Sequence, residues 1–558
     1  MSRHHPAAAA ARTVLPNGLA AAAFLLLALA PSGWPGYALL GLALAASWAT
    51  GGSGGGRPPA LGADPAVRLL LAAGVLAAAA RQQLPAGDPA GPLALAGAAL
   101  LGAPLLEGLS DRLARPRFQA VRLPAAPPVP ATLVAYGGGW LVSAGGLAVA
   151  GLLVWLDQPG WTLLLPAGTA AGCTGWLLIA GWRRWRTGHR AELAALTGAV
   201  HRHQPRFLLY FSAPPGSAYQ ARMWLPQLER IGAPFLVVLL EPHQLAPVAA
   251  ATTAPVVVVD SFEAIDAVLV PSLRAAFYVN NGAKNSYCVR VGRLTHVQLY
   301  HGDSDKAVTA SPVNAMYDRI FVAGRAAIDR FAAHGVEIPR EKFRIVGRPQ
   351  VEQLQTAAAG GRAGPPAVLY APTWTGSQAG ARHCSLPVAE LIVRGLLDRG
   401  AMVIFRPHPY SRRQRESAGQ LRRVEQLLER DRAGTGRPHR WGPASTARLS
   451  LFEAMNHSDA LVCDVSSVAA DYLATGKPFA ITDMAGRGDR FPAEFPLARA
   501  GYPIRADAGN LTPVLADLLG PDPLAATRRE LRDYYLGDPA GFLTEARGCL
   551  TEPQGSPV

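Results

Sequence analysis

Four short stretches of this chain set imidazole, guanidinium, hydroxyl and carboxylate side chains directly behind apolar runs of strand length. His301, Gly302, Asp303, Ser304, Asp305 and Lys306 follow "VQLY"; Pro372, Thr373 and Trp374 follow "VLYA"; Arg406 and His408 follow "MVIF"; Asp464, Ser466 and Ser467 follow "ALVC". Singly, each has an ordinary reading. A strand-end histidine is most often a hydrogen-bonded loop residue, the prolines of "RPHP" stiffen a turn, and Ser466 or Ser467 caps a helix. Together they form a chemical set. Serine hydroxyls and free amides at a helix start attract an anion, which suits "SSVAADYL" to a diphosphate. Arg406 and His408 add donors that stabilise charge on a departing nucleotide. His301, titrating near neutrality, accepts a proton from an attacking hydroxyl, with Asp303 or Asp305 orienting its ring. The expected chemistry is transfer of a phosphoryl-linked or glycosyl group from a nucleotide donor to a hydroxyl.

Such loops need strands to hold them. From about Pro205 the runs "RFLLYFSA", "PFLVVLLE", "APVVVVD", "AAFYVNN", "HVQLYHG" and "DRIFVAG" lack polar alternation, as strands covered on both faces do. Helical stretches such as Tyr219 to Ile231 lie between several of them, which predicts a parallel, doubly wound sheet. A linker at Ala357 to Pro366 is followed by "AVLYAPTW", "AMVIFRPHP", "ALVCDVSS" and "KPFAITD", with helices at Leu386 to Arg399 and Ser450 to Asn456. The expected fold is α/β, with two Rossmann-like domains over residues 200–345 and 346–550. Ligands are expected in their shared crevice, beyond the carboxyl ends of the strands.

The first third is different in kind. Of the 558 residues 50% are hydrophobic and 16% charged, and nearly all the excess apolar character lies before about Trp182. Six apolar stretches run through it: Asn17 to Ala30, Tyr37 to Trp48, Leu69 to Ala80, Leu93 to Leu106, Thr132 to Leu156 and Trp161 to Trp182. The last two are long enough for about 30 Å of hydrocarbon, and the others need help from small flanking residues. Alternate loops carry the arginines: Arg3 and Arg12; Arg57 and Arg68; Arg112, Arg115, Arg117 and Arg122; Arg183, Arg184, Arg186 and Arg190. The intervening loops hold only Arg81, with Asp88 and Asp157. Residues 1–190 therefore read as an all-α multi-span membrane domain of about six helices, both ends cytoplasmic. Interfacial helices among the first four are the alternative. The glycine- and proline-rich pieces Gly51 to Pro59 and Ala125 to Pro130 read as membrane loops.

Several classes are excluded. The net charge of +14 sits largely beside the apolar stretches, where arginines match anionic lipid, and no basic run interleaved with aromatics suggests nucleic acid. No phosphate-binding GxxxxGK[ST] loop, strand-coupled GxGxxG or HExxH occurs. The five scattered cysteines form no CxxC pair, so neither a zinc knuckle nor a disulfide framework is indicated; nothing else has metal-ligand spacing, and no metal or cofactor is expected.

The order of these motifs resembles one family, the CDP-glycerol glycerophosphotransferases that prime or polymerise teichoic acids and have a GT-B fold. The similarity covers roughly Tyr278 to Phe479. It is carried by "YVNNGAKNSYCVRVGRLTHVQLYHG", "RIFVAG", "FRIVGRP", "VLYAPTW", "RPHP" and "SDALVCDVSSVAADYLATGKP". The resemblance implies that His301 is the base acting on the acceptor hydroxyl, on a loop with Gly302, Asp303, Ser304 and Asp305. It implies that Pro372, Thr373, Arg406, His408, Ser466, Ser467 and Asp471 line the donor site. It further implies a CDP-glycerol or similar CDP-alditol donor, a lipid-linked or wall-polymer acceptor, and release of CMP. Two departures stand out: the family's HGTPLK-like loop is "HGDSDK" here, and its GxPR reads Gly347, Arg348, Pro349, Gln350. A nucleotide-sugar glycosyltransferase shares the fold and crevice, and a transport or scaffold protein with a degenerate GT-B domain is the non-catalytic alternative.

Overall fold

A computed structural model describes residues 6–51, 65–114, 118–123, 132–356, 364–376 and 383–551. The glycine- and proline-rich pieces at 51–59, 125–130 and 357–366 fall largely outside them. The chain divides into two compact units, residues 1–119 with 126–196, and 120–125 with 197–558.

The first unit is helical: α1 (Pro6–Leu29), α2 (Trp34–Gly51), α3 (Pro65–Gln83), α4 (Ala90–Ala114), α5 (Thr132–Trp155) and most of α6 (Leu164–His203). Its core is made of small and branched apolar side chains, among them Ala20, Ala23, Leu27, Leu71, Val75, Ala150 and Ala167. Arg68 on α3 is buried and donates to Glu107 of α4 at 2.5 Å and to Ser143 of α5 at 2.6 Å, tying three helices with one guanidinium. Two helical segments, Ala90–Leu109 and Gly160–Arg183, are long and apolar enough to cross a membrane, and Leu15–Leu29, Trp34–Ser47 and Leu141–Trp155 are shorter apolar stretches. The sixth expected stretch is thus one of the two. The other is the fourth, which its helix extends beyond 93–106.

The second unit contains two sheets. The first holds β1 (Phe118–Val121), β2 (Phe207–Phe211), β3 (Phe235–Leu239), β4 (Val256–Val259), β5 (Ala275–Tyr278), β6 (Thr295–Gln298), β7 (Arg319–Val322) and β8 (Phe343–Ile345), in the order β1-β4-β3-β2-β5-β6-β7-β8. Strands β2 to β8 pair in parallel. The second holds β9 (Ala367–Ala371), β10 (Met402–Phe405), β11 (Ala460–Asp464), β12 (Phe479–Asp483) and β13 (Tyr502–Arg505), in the parallel order β10-β9-β11-β12-β13. Every residue of β2, β3, β4, β5, β9, β11 and β12 is buried, which is why those runs carry no polar alternation. Strand β13 lies at the edge, alternates buried and exposed, and holds Pro503, which an edge tolerates. It is absent from the expected strands.

Two expectations are corrected. The helix expected over Tyr219 to Ile231 is two short pieces, Tyr219–Arg222 and Leu225–Glu229, because Pro226 lacks an N–H and its ring blocks continuation from the preceding turn. The second half does not keep all of 346–550. The last helix, Gly541–Thr551, places Phe542, Ala546, Cys549 and Leu550 in the core under the first sheet, where Phe542 packs 5.2 Å from the Trp224 ring. At that return Gly347 (φ 74°) passes so close to Asp538 that a Cβ would stand 2.1 Å from its carbonyl oxygen, so only glycine fits.

Candidate active site

Strand β6 ends at Gln298, and the chain reaches His301 through a strained residue. Tyr300 has φ 54°, a left-handed conformation that costs a non-glycine residue roughly 1–2 kcal/mol. Its N–H donates to Gln298 Oε1 at 3.1 Å and its carbonyl accepts from the Trp224 indole, so both sides of the peptide are pinned. Strain of this kind persists where surrounding structure over-determines it.

The His301 ring has one assignable tautomer. Its Nδ1 lies 2.9 Å from the Val279 carbonyl at the end of β5, and a carbonyl only accepts, so Nδ1 carries the proton and Nε2 keeps its lone pair. Burial lowers its pKa below the ordinary 6.5, the Val279 bond raises it and the Arg348 charge lowers it again. His408, beyond β10, has the opposite tautomer. Its Nδ1 accepts the Tyr410 N–H at 3.1 Å, which leaves the proton on Nε2, 3.4 Å from the Tyr219 hydroxyl oxygen. The Tyr219 ring stands edge-on to both imidazoles, with centroids 6.0 Å from His301 and 5.9 Å from His408. An acceptor nitrogen from one half and a donor nitrogen from the other therefore flank one tyrosine.

Burial pushes His408 down to about 3, helped by the charges of Lys306 and His301. A folded pKa below the unfolded value means that the unfolded chain binds more protons between the two, so this contribution is complete above about 6.5 and is lost as pH falls toward 3. The thermal midpoint of the purified protein is expected to fall between about pH 7.5 and about pH 5, and His408→Gln is expected to make that fall shallower. An equally steep fall in the variant would assign the pH dependence to other groups.

Loops from both halves close around this pair. The His408 N–H donates to the Pro372 carbonyl at 3.0 Å, Trp374 stacks on the His408 ring, and the Tyr410 hydroxyl meets Ser217. Lys306 Nζ reaches Thr373 Oγ1 at 3.3 Å. Gly302 packs on Ser467, where a Cβ would stand 2.6 Å from Ser467 Oγ, so no other residue fits there without displacing that serine. Ser466 caps the helix Ser467–Tyr472 by position only: its hydroxyl makes no capping bond and is buried without a partner. Asp464 lies beneath these loops and is wholly buried. Its carboxylate accepts from Thr373 N–H at 2.6 Å, Ser385 N–H at 3.1 Å and the Thr482 hydroxyl at 2.7 Å. It holds the Thr373 loop in place instead of facing the crevice.

Other expected residues are engaged elsewhere. The Arg406 guanidinium donates to the carbonyls of Ser445 and Leu449, and desolvation pushes its pKa down to about 10. Those carbonyls precede a helix, Leu451–Asn456, that Ser450 and Glu453 cap reciprocally. Asp471 is buried in a two-point ion pair with Arg348, Nε to Oδ1 2.9 Å and Nη2 to Oδ2 3.2 Å. Arg348 Nη2 also lies 3.5 Å from the His301 carbonyl, whereas Gln350 is buried with its Nε2 3.5 Å from the Met223 carbonyl. Neither Asp303 nor Asp305 orients His301; a backbone carbonyl does. Asp303 pairs with Arg330, and Asp305 takes Arg330, both hydroxyl contacts of Tyr535 at 2.8 Å and the Leu497 N–H at 3.1 Å. The buried Ser304 offers its carbonyl to Thr309. Close by, a cavity of about 540 Å³ is lined by Asp305, His334, His383, Phe495, Tyr534 and Tyr535, among others.

Residues 247–485 match the model of the CDP-glycerol:poly(glycerophosphate) glycerophosphotransferase family. That segment, less than half of the chain, is similar to the family. It holds the two histidines, Lys306 and all four strand-end loops. No curated protein sequence matches the chain. Among solved structures, the wall teichoic acid polymerase TagF shares 13% identity over 66% of this chain and 94% of its own, with a TM-score of 0.42. A putative UDP-N-acetylglucosamine 2-epimerase from Listeria monocytogenes shares 12% over 61% and 93%, TM-score 0.41. A glycosyltransferase from Rickettsia africae shares 11% over 62% and 98%, TM-score 0.38. Within the matched segment and its flanks, Tyr219, Val279, Tyr410 and the role of Lys306 escaped sequence reasoning. Tyr219 belongs to no motif, and a carbonyl that fixes a tautomer has no residue type to betray it.

Proposed function

We propose that the protein transfers glycerol phosphate, or a related alditol phosphate, from a CDP-linked donor to a hydroxyl of a lipid-linked or cell-wall polymer, as in teichoic acid synthesis. The observation that carries this reading is the pair of oppositely fixed imidazoles flanking Tyr219. In the proposed step His301 Nε2 takes the acceptor's proton as its oxygen bonds to the phosphorus bearing the alditol. The bond from that phosphorus to the bridging oxygen breaks, and CMP leaves with the electron pair. The His408 Nε2–H hydrogen-bonds to a phosphate oxygen and stabilises the departing charge. Pro372, Thr373, Ser466 and Ser467 line the donor's side. Asp471 acts through Arg348, and Arg406 through the 445–449 turn. The Asp305-lined cavity is where we assign part of the acceptor.

We further propose that residues 1–190 span the membrane about six times with both ends cytoplasmic, keeping the crevice beside a lipid-linked acceptor and raising its effective concentration. Two features support this. Arginines gather at alternate ends of the apolar stretches. Among the described residues, exposed large apolar side chains crowd the helical unit, with Trp34 and Trp155 near helix ends and Trp161 and Trp182 near the two ends of the apolar segment Gly160–Arg183, and elsewhere comprise only Phe262, Val308, Val313, Ile345 and Leu391.

A panel of CDP-glycerol, other CDP-alditols and UDP-sugars, offered to purified protein with membrane extract as acceptor, tests the transfer. CMP release from a CDP-alditol is expected. Turnover of UDP-sugars alone would replace this reading with the glycosyltransferase one.

A further inference from the structure

The ammonium of Lys306 has no role in the step above, yet it is held where charge is costly. Its side chain is largely enclosed, its hydrogen-bond partner is the neutral Thr373 hydroxyl, and no carboxylate lies within ion-pair distance among the described residues. The acid whose field reaches it, Asp464, already accepts three hydrogen bonds from Thr373, Ser385 and Thr482. A cation removed from water without a counter-ion is unfavourable, and a bound anion relieves that cost.

The surroundings fit an anion. Strands β9 and β11 are parallel neighbours, with Cys463 opposite Ala371, so the loops bearing Thr373 and Ser466 leave adjacent strand ends. Ser466 brings a buried hydroxyl without a partner. His408, whose Nε2–H faces Tyr219, lies within the electrostatic reach of Lys306. The cation that the sequence suggested for this place, Arg406, spends its guanidinium on two carbonyls.

We propose that Lys306 is the counter-ion of the donor's diphosphate, so that the loop His301–Lys306 carries both the base for the acceptor and the cation for the donor. This rests on reading the crevice as a nucleotide-diphosphate site. It also couples the two substrates, because a diphosphate seated on Lys306 braces the loop that holds His301.

Direct binding of CDP and of cytidine to the detergent-solubilised full-length protein tests the assignment. Wild type is expected to hold CDP more tightly than cytidine. Lys306→Met is expected to weaken CDP about 10- to 100-fold, the range for one lost hydrogen bond to a charged group, and to leave cytidine unchanged. Lys306→Arg is expected to recover part of the loss. Equal CDP affinity in wild type and Lys306→Met overturns the assignment, and so does an equal loss of cytidine binding, which would mean that the lysine only shapes the loop. CMP release measured in parallel separates the two readings. A wild type that binds CDP through Lys306 but turns over no CDP-alditol would end the transferase reading and keep the anion site. Turnover with an unchanged KM for the donor in Lys306→Met would do the reverse.

Discussion

With His301 changed to alanine, CMP release from a CDP-alditol is expected to fall about 10²- to 10⁴-fold at saturating donor, the usual contribution of a positioned general base. CDP binding is expected to survive, because alanine leaves Lys306 and the other donor-side groups in place. The direction follows from the tautomer. Val279 keeps the proton on Nδ1, so Nε2 is available to a hydroxyl, and alanine removes that acceptor. Burial lowers the His301 pKa, so the ring is already neutral at pH 7 and the acid limb of kcat/KM is expected below the ordinary 6.5. Turnover by His301→Ala within threefold of wild type would show that the proton leaves by another route. A matching loss of CDP binding would instead mean that the loop had collapsed. His408→Ala is predicted to differ, lowering kcat by removing a donor to the leaving phosphate while the acid limb stays in place.

Much of this arrangement is legible in the sequence. Strands such as β4 and β11 are buried along their whole length, and that burial is written directly as runs of valine, leucine and alanine. The residues just beyond them are polar because strand ends in a parallel sheet open onto the crevice. What was not readable is where long side chains go. Asp303 and Asp305 stand two and four residues from His301, close enough in sequence to suggest an orienting carboxylate, but Arg330 and Tyr535 arrive from distant segments and take them. Arg406 is a similar case, since the carbonyls that its guanidinium reaches lie 39 and 43 residues further on. The helix Gly541–Thr551 returns to the first sheet on contacts between Phe542 and Trp224, which no local pattern encodes. Local chemistry is carried by neighbours in the chain, whereas the satisfaction of a buried charge is decided by whichever segment folds over it.

The Arg348–Asp471 pair shows that difference most sharply and carries the second large effect. Both side chains are buried, with 5% and 4% of their surface exposed, and they join the first residues after β8 to the helix that follows β11. Removing one partner leaves an uncompensated buried charge, so Arg348→Met is expected to lower stability by about 3–5 kcal/mol. Asp471→Asn is expected to cost less than that, because the amide oxygen still accepts one guanidinium bond. Replacing both residues by apolar ones of similar volume is expected to restore much of the loss, a coupling that a double-mutant cycle in urea measures. A second readout distinguishes position from stability. Arg348 also reaches the His301 carbonyl and its charge holds the imidazole's pKa down. Whichever residue replaces it, losing that charge should raise the His301 pKa, so the acid limb of kcat/KM should move upward in Arg348→Met at a temperature where the variant is still folded. A destabilised variant with an unmoved acid limb would confine Arg348 to joining the two halves. An upward move that persists in the rescued double variant would make Arg348 a positioning residue of the base, and would explain why this chain, having glutamine at the end of its Gly-Arg-Pro-Gln run, keeps its arginine two places earlier.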